Sequence, residues 1–115
     1  METRDELLLR KIIEYCDRIE NNLKRYDHSK EAFQADAMFM DACCMCIVQI
    51  GELVGQLSDS TKLRSPNVPW RAIKDTRNFY VHAYGSIDPN AVWETLVGDI
   101  PVLKTTCKAI LSSLS

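Results

Sequence analysis

Residues 35–57 read ADAMFMDACCMCIVQIGELVGQL, and within them Ala35, Phe39, Ala42, Cys46, Ile50, Leu53 and Leu57 recur in steps of four and three. That spacing lays them along one face of an α-helix, whereas a half-buried strand would alternate apolar and polar residues. The stretch therefore predicts a long helix whose inner face carries small and medium side chains. No part of the chain alternates in the manner of a strand, so the expected fold is all-α.

Toward the N-terminus, Asp27-His28-Ser29 reads as a turn. Before it, Thr3 and Glu6 have the spacing of a capping box, and Ile12, Cys16, Ile19, Leu23 and Tyr26 follow on one face, giving a first helix over about residues 4–26. Toward the C-terminus, SDSTKLRSPNVP at 58–69 breaks the pattern with two prolines and many hydroxyls and reads as a surface loop. Pro69 suits the first turn of a third, shorter helix, because its φ is already helical and its missing donor has no role there. That helix carries WRAIKDTRNFYVHAY, residues 70–84, with Gly85 as its expected stop. Asp88 and Pro89 then read as the N-cap and first position of a fourth helix, striped by Val92, Leu96, Ile100, Leu103, Cys107, Ile110 and Leu114. Pro101 removes a donor inside it, so a kink is expected near Gly98 to Pro101. Four helices with short connections predict an up-down four-helix bundle in one domain spanning residues 1–115.

Composition narrows the setting. A chain of 115 residues with 46% hydrophobic and 26% charged residues has the balance of one globular domain rather than of a disordered one. Its apolar runs read as shorter than a bilayer-spanning helix and its N-terminus METRDELLLRK has acids where a secretory signal would be basic, so a cytoplasmic protein with no membrane association is expected. Five cysteines without a secretion signal then read as free thiols. The net charge of −2 gives the chain as a whole no electrostatic reason to bind nucleic acid. The charge is uneven, however: residues 32–60 contain no Lys or Arg, whereas residues 62–82 hold Lys62, Arg64, Arg71, Lys74 and Arg77 against Asp75 alone.

The segment RNFYVHAY, residues 77–84, closes that basic window. Its Arg77, four residues, His82, one residue and Tyr84 resemble the motif of the HEPN superfamily of ribonucleases, and more narrowly the His-x-Tyr version of the HepT toxins. IGELVGQLS upstream, WRAI before Arg77 and YGSIDPNAVWETLVGDIPVL after it are similar to the same family, so the resemblance covers about residues 5–110. It implies an HEPN-like helical fold and an endoribonuclease toxin of a toxin–antitoxin pair that acts on RNA, tRNA included. Arg77 and His82 would be catalytic and Asn78 supporting, in a homodimer whose paired motifs line an interfacial cleft. It also implies that Tyr84 is adenylylated by a cognate MntA-type nucleotidyltransferase antitoxin, and it calls for no cofactor or metal.

The residue types agree with that chemistry. Cleaving RNA through its own 2′-hydroxyl needs a base, an acid and a cation at the crowded phosphoryl oxygens. Imidazole titrates near pH ~6.5 and serves as base or acid, while guanidinium stays charged and grips phosphate in bidentate fashion. Residues five apart on a helix differ by roughly 140° around its axis, so Arg77 and His82 do not share one narrow face, while Arg77 and Tyr84 lie nearly in line. In-line transesterification wants proton-transfer groups on both sides of phosphorus, and each motif offers one His, so a two-fold dimer would supply the pair.

Other residues have plainer readings. Cys43, Cys44 and Cys46 sit mid-helix with no neighbouring His and read as packing residues rather than metal ligands. Trp70, Trp93 and Tyr80 read as core or dimer packing rather than base-stacking groups. His28 reads as an exposed turn residue, and Glu52 stays open between a partner for a basic residue near the motif and an exposed acid. The rival to a ribonuclease is a non-catalytic helical module that binds a nucleotidyltransferase partner, which the acidic pI of 5.6 would suit.

Overall fold

The computed structural model describes residues 2–82 and 84–114, with side chains described outside 77–84. Its first helix, α1 (Arg4–Arg25), begins where Thr3 takes up extended backbone and its hydroxyl accepts the Glu6 amide at 3.2 Å. Asp5 and Glu6 in the first turn and Lys24 and Arg25 in the last complement the helix dipole. The turn after it is tight: Asp27 and His28 both adopt φ 54°, a left-handed backbone that Asp and His tolerate better than most residues. His28 is exposed there, as expected.

The second helical stretch departs from the expected single rod. It divides into α2 (Lys30–Ala35) and α3 (Ala37–Gln56), broken at Asp36, whose φ −112° and ψ 102° are extended. Asp36 ends one helix and starts the next, its carboxylate accepting the Met38 and Phe39 amides at 2.9 and 3.3 Å. The periodicity concealed this corner, because a helix-capping aspartate is also an ordinary exposed residue of a continuous helix. What the corner gains is aromatic packing: Phe33 meets the edge of Phe39 at 5.2 Å and lies 5.4 Å from Trp93, and Tyr26 stacks on Phe39 at 4.1 Å.

The expected loop at 58–69 is likewise partly helical. Ser58 caps a short α4 (Asp59–Leu63) by accepting the Thr61 amide at 3.3 Å. Helix α5 (Trp70–His82) follows with Pro69 just ahead of it, the Pro69 carbonyl accepting from Ile73 at 3.0 Å. It ends at His82, before the expected stop at Gly85, which lies in a 3-10 turn over Tyr84–Ser86 without a left-handed φ. Asp88 and Pro89 do start α6 (Pro89–Glu94), with the Asp88 carboxylate accepting from the Asn90 amide at 3.0 Å.

The distortion expected around Pro101 takes a definite form. Thr95–Asp99 makes a wider, π-type turn in which the Ile100 amide donates to the Thr95 carbonyl, and α7 (Ile100–Leu114) continues from it. Pro101 cannot donate to the carbonyl four residues back and its ring would press on it, so widening the turn relieves both problems. Val97, Gly98 and Pro101 face solvent, while Val92, Leu96, Ile100, Leu103, Cys107 and Ile110 are all buried.

The chain is thus all-α among its described residues, with a HEPN-like arrangement in which α1 packs on α3 and α7 and α3 packs on α5. Leu9, Ile12, Cys16 and Ile19 of α1 meet Cys43, Ile50 and Val54 of α3 and Leu96 and Cys107 beyond, in one continuous core. Contrary to the expectation from apolar run length, α3 is long and apolar enough to cross a membrane by length and composition, an 18-residue stretch of it having a mean hydropathy of 1.7. Its apolar residues nonetheless form the centre of the core, Phe39, Cys43, Ile47, Ile50 and Val54 among them.

Candidate active site on α5

The motif residues are carried by one element and its exit: Arg77, Asn78 and His82 belong to α5, and Tyr84 opens the 3-10 turn that follows. Their side chains, and that of Tyr80, lie outside the described residues. What the structure establishes is how α5 is held. Its first residue, Trp70, is buried and its indole Nε1 donates to the carbonyls of both Lys62 and Ser65 at 3.1 Å. The short α4 is therefore a hook around the start of α5, a function that the reading of 58–69 as plain loop missed. The visible signal was Ser58 three residues before Thr61, which has helix-capping spacing.

This hook is itself tied to α1. Asp5 accepts from the Ser58 amide at 3.2 Å and from the Ser58 and Thr61 hydroxyls, Thr61 being buried. Burial works against a charged Asp5, but those hydrogen bonds outweigh it and hold the carboxyl below its ordinary value of 3.8. At the other end of α4, the Arg64 guanidinium donates to the Ser113 hydroxyl of α7 at 2.8 Å.

Along its length α5 approaches α3 closely at Gly55. A side-chain carbon at that glycine would stand 3.4 Å from Cδ and Cε of Lys74. Arg71 and Lys74 are exposed and form no ion pair among the described residues, so part of the basic window seen in the sequence remains available at the surface. Glu52, left open by the sequence, lies half-buried on α3.

Beside α5 lies an open apolar cavity of about 360 Å³, walled by Ile47 and Ile50 of α3, Val68 and Ile73 on the α5 side, and Ile100 and Leu103 of α7. Thr76, one position before Arg77, is part of the same wall. A second, more polar groove between α1 and α3 holds Tyr15, Arg18, Asn21, Asn22 and Gln49, with the Arg18 guanidinium 4.8 Å from the Tyr15 ring centre.

The cysteines behave as core residues. Cys16, Cys43, Cys44 and Cys107 are buried, and burial pushes each thiol up to about 12, which disfavours the thiolate that nucleophilic attack or metal binding requires. Among the described residues no three His, Cys, Asp or Glu side chains come together as a metal site. Trp70 and Trp93 pack in or against the core, as their helical spacing implied.

A helical chain whose α5 carries Arg77, Asn78 and His82 on this frame has the form of a HEPN-type protein. The family model described as ribonuclease HepT-like matches residues 12–110, and the chain belongs to that family. It is similar over 103 residues to two proteins of Methanocaldococcus jannaschii named "putative RNase". One is 30% identical, covering 90% of this chain and 87% of the relative, and the other is 29% identical, covering 90% and 84%. It is also 30% identical over 83 residues to a protein of Thermococcus cleftensis named "probable ribonuclease HepT", covering 64% of this chain and 76% of that one. No solved structure matches the chain.

Proposed function

We propose that this chain is a metal-independent endoribonuclease and the toxin of a toxin–antitoxin pair, with tRNA among its candidate substrates. The observation that carries the reading is that the HepT-like match over residues 12–110 includes a helix and exit turn bearing Arg77, Asn78, His82 and Tyr84 together. In this reading Arg77 holds the scissile phosphate and neutralises its developing charge, and Asn78 supports that contact. His82 of one protomer takes the proton from the 2′-hydroxyl, and His82 of the other gives one to the departing 5′-oxygen. The new bond joins the 2′-oxygen to phosphorus and the bond to the 5′-oxygen breaks.

A homodimer is required for two imidazoles to flank one phosphorus. The open apolar wall at Ile73 and Thr76, on the helix that carries the motif, supports an interface there. Single-stranded RNA, whose bases can be splayed into a cleft, is the substrate class. Silencing would come from an MntA-type nucleotidyltransferase: the Tyr84 hydroxyl oxygen attacks the α-phosphorus of ATP, pyrophosphate leaves, and the phenolic proton passes to solvent. The anionic nucleotide beside Arg77 would then compete with RNA. These roles belong to a cytoplasmic protein.

Purified protein incubated with total RNA tests the reading. Fragments with 2′,3′-cyclic or 3′-phosphate and 5′-hydroxyl ends, made by a dimer in the presence of chelator, are expected. Fragments bearing 3′-hydroxyl and 5′-phosphate ends, or cleavage by a strict monomer, would overturn it. For the switch, intact mass after co-expression with the nucleotidyltransferase should rise by one AMP and fail to rise in Tyr84→Phe.

A further inference from the structure

Lys74 is an exposed residue whose stem lies over Gly55 of α3. At Gly55 its stem runs along α3 such that an added Cβ would stand in van der Waals contact with Cδ and Cε at 3.4 Å and with Cγ at 3.5 Å. Three consecutive carbons of a chain that ordinarily samples many rotamers are laid along a groove that a glycine leaves open, while the residue as a whole remains exposed. The cation it carries forms no ion pair among the described residues, unlike Lys104, which is held between Asp17 and Glu20 at 2.6 and 2.9 Å. Arg77 follows three positions later on the same helix, a rise of about 4.5 Å and a difference of about 60° around the axis. Asp75, the one acid of the basic window, is the next residue along, about 100° round the helix from Lys74.

We infer that Lys74 is a second phosphate-holding residue of the ribonuclease site, engaging the backbone of single-stranded RNA at a nucleotide neighbouring the scissile one. The inference rests on the ribonuclease reading above and adds a residue to it. A lysine suits this position because its ammonium is a point charge without bidentate geometry, so it tracks a backbone without selecting a base. Its stem, already placed against α3, loses less freedom on meeting the phosphate than a solvent-swept lysine would.

The test uses the full chain and two kinds of RNA. A fluorescent single-stranded RNA with 2′-O-methyl riboses, which lacks the attacking hydroxyl, reports binding by anisotropy across a salt series, and unmodified RNA reports cleavage. Lys74→Met keeps the stem over Gly55 and removes the charge, Lys74→Gln removes it with a different head, and Lys74→Arg retains it. Expected for both uncharged variants is a salt dependence shallower by roughly 0.7 in log–log slope, the contribution of one phosphate on a single strand. A KM raised about three- to tenfold with kcat within about twofold should accompany it, with Lys74→Arg close to wild type. If wild type binds and cleaves while Lys74→Met and Lys74→Gln keep the wild-type slope, the inference is overturned and the ribonuclease reading stands. A raised KM without a change of slope also overturns it, since a packing defect would do that. If wild type neither binds nor cleaves RNA, the ribonuclease reading itself falls and Lys74 falls with it.

Discussion

The seam between α1 and α7 and the seam between α3 and α5 are closed by different means. At the first, Lys104 of α7 reaches across to Asp17 and Glu20 of α1, over buried Cys16 and Cys107, and those contacts push the Lys104 ammonium up to about 12. At the second, the helices approach through a glycine, Lys74 lies across the crossing without an ion pair among the described residues, and an apolar cavity of about 360 Å³ stays open alongside. One seam satisfies its charges internally and is a frame. The other keeps charge and apolar surface available, as the proposed action on RNA and pairing with a second copy would require.

The sharpest way to test that division is to disturb each side and read both stability and activity. On the working side, His82→Ala should lower RNA cleavage about 10²- to 10⁴-fold while the unfolding midpoint stays where it is, measured by end-labelled RNA assay and denaturant titration. On the frame side, Ile12→Ala empties a fully buried position of α1 and should reduce stability by about 2–5 kcal/mol. A variant of the first kind that also unfolds would erase the distinction between the two seams.

Smaller effects sharpen the comparison. Lys104→Met should lower stability by about 0.5–1 kcal/mol and leave cleavage unchanged. Because the folded Lys104 value is raised, its contribution is complete below the unfolded value near 10.5 and disappears as pH climbs through about 12. Asp5 has the opposite sign. Its folded value is depressed below 3.8, so the link from α1 to the α4 hook contributes above that pH and is lost as pH falls through the folded value. Asp5→Asn should therefore flatten the acid limb of a stability–pH curve, and an unchanged limb would show that the hook is held by other contacts.

Much of this frame was legible in the sequence because helical periodicity tracks burial, although Ala35 and Ala42 of the expected second face are exposed and Cys43, Ile47 and Val54 are buried in addition to Phe39, Cys46 and Ile50. The face of α1 from Ile12 to Leu23 and the stripe from Val92 to Ile110 are buried where the spacing put them. Asp36 was illegible because capping depends on where the chain turns, and a pattern of apolar steps runs through a sharp corner without interruption. Helix α4 was hidden among prolines and hydroxyls, since Ser58 and Thr61 look like loop residues until Asp5 of a distant helix binds them. Of the site, the sequence showed which residues share α5 and its exit turn; the crossing of Lys74 over Gly55, residues nineteen apart in the chain, needed the packing of two helices to appear.

The corner at Asp36 sets where this protein can change length. With one residue between α2 and α3 there is no slack, and an inserted amino acid would lift Phe33 away from Phe39 and Trp93. Growth is tolerated better after Ser65, where the backbone turns between the last carbonyl that holds Trp70 and the start of α5, and a longer excursion adds only a slowly rising entropy. An engineer seeking to graft an epitope or tag inside this chain should choose the stretch around Pro66 and leave the aromatic corner at its native length.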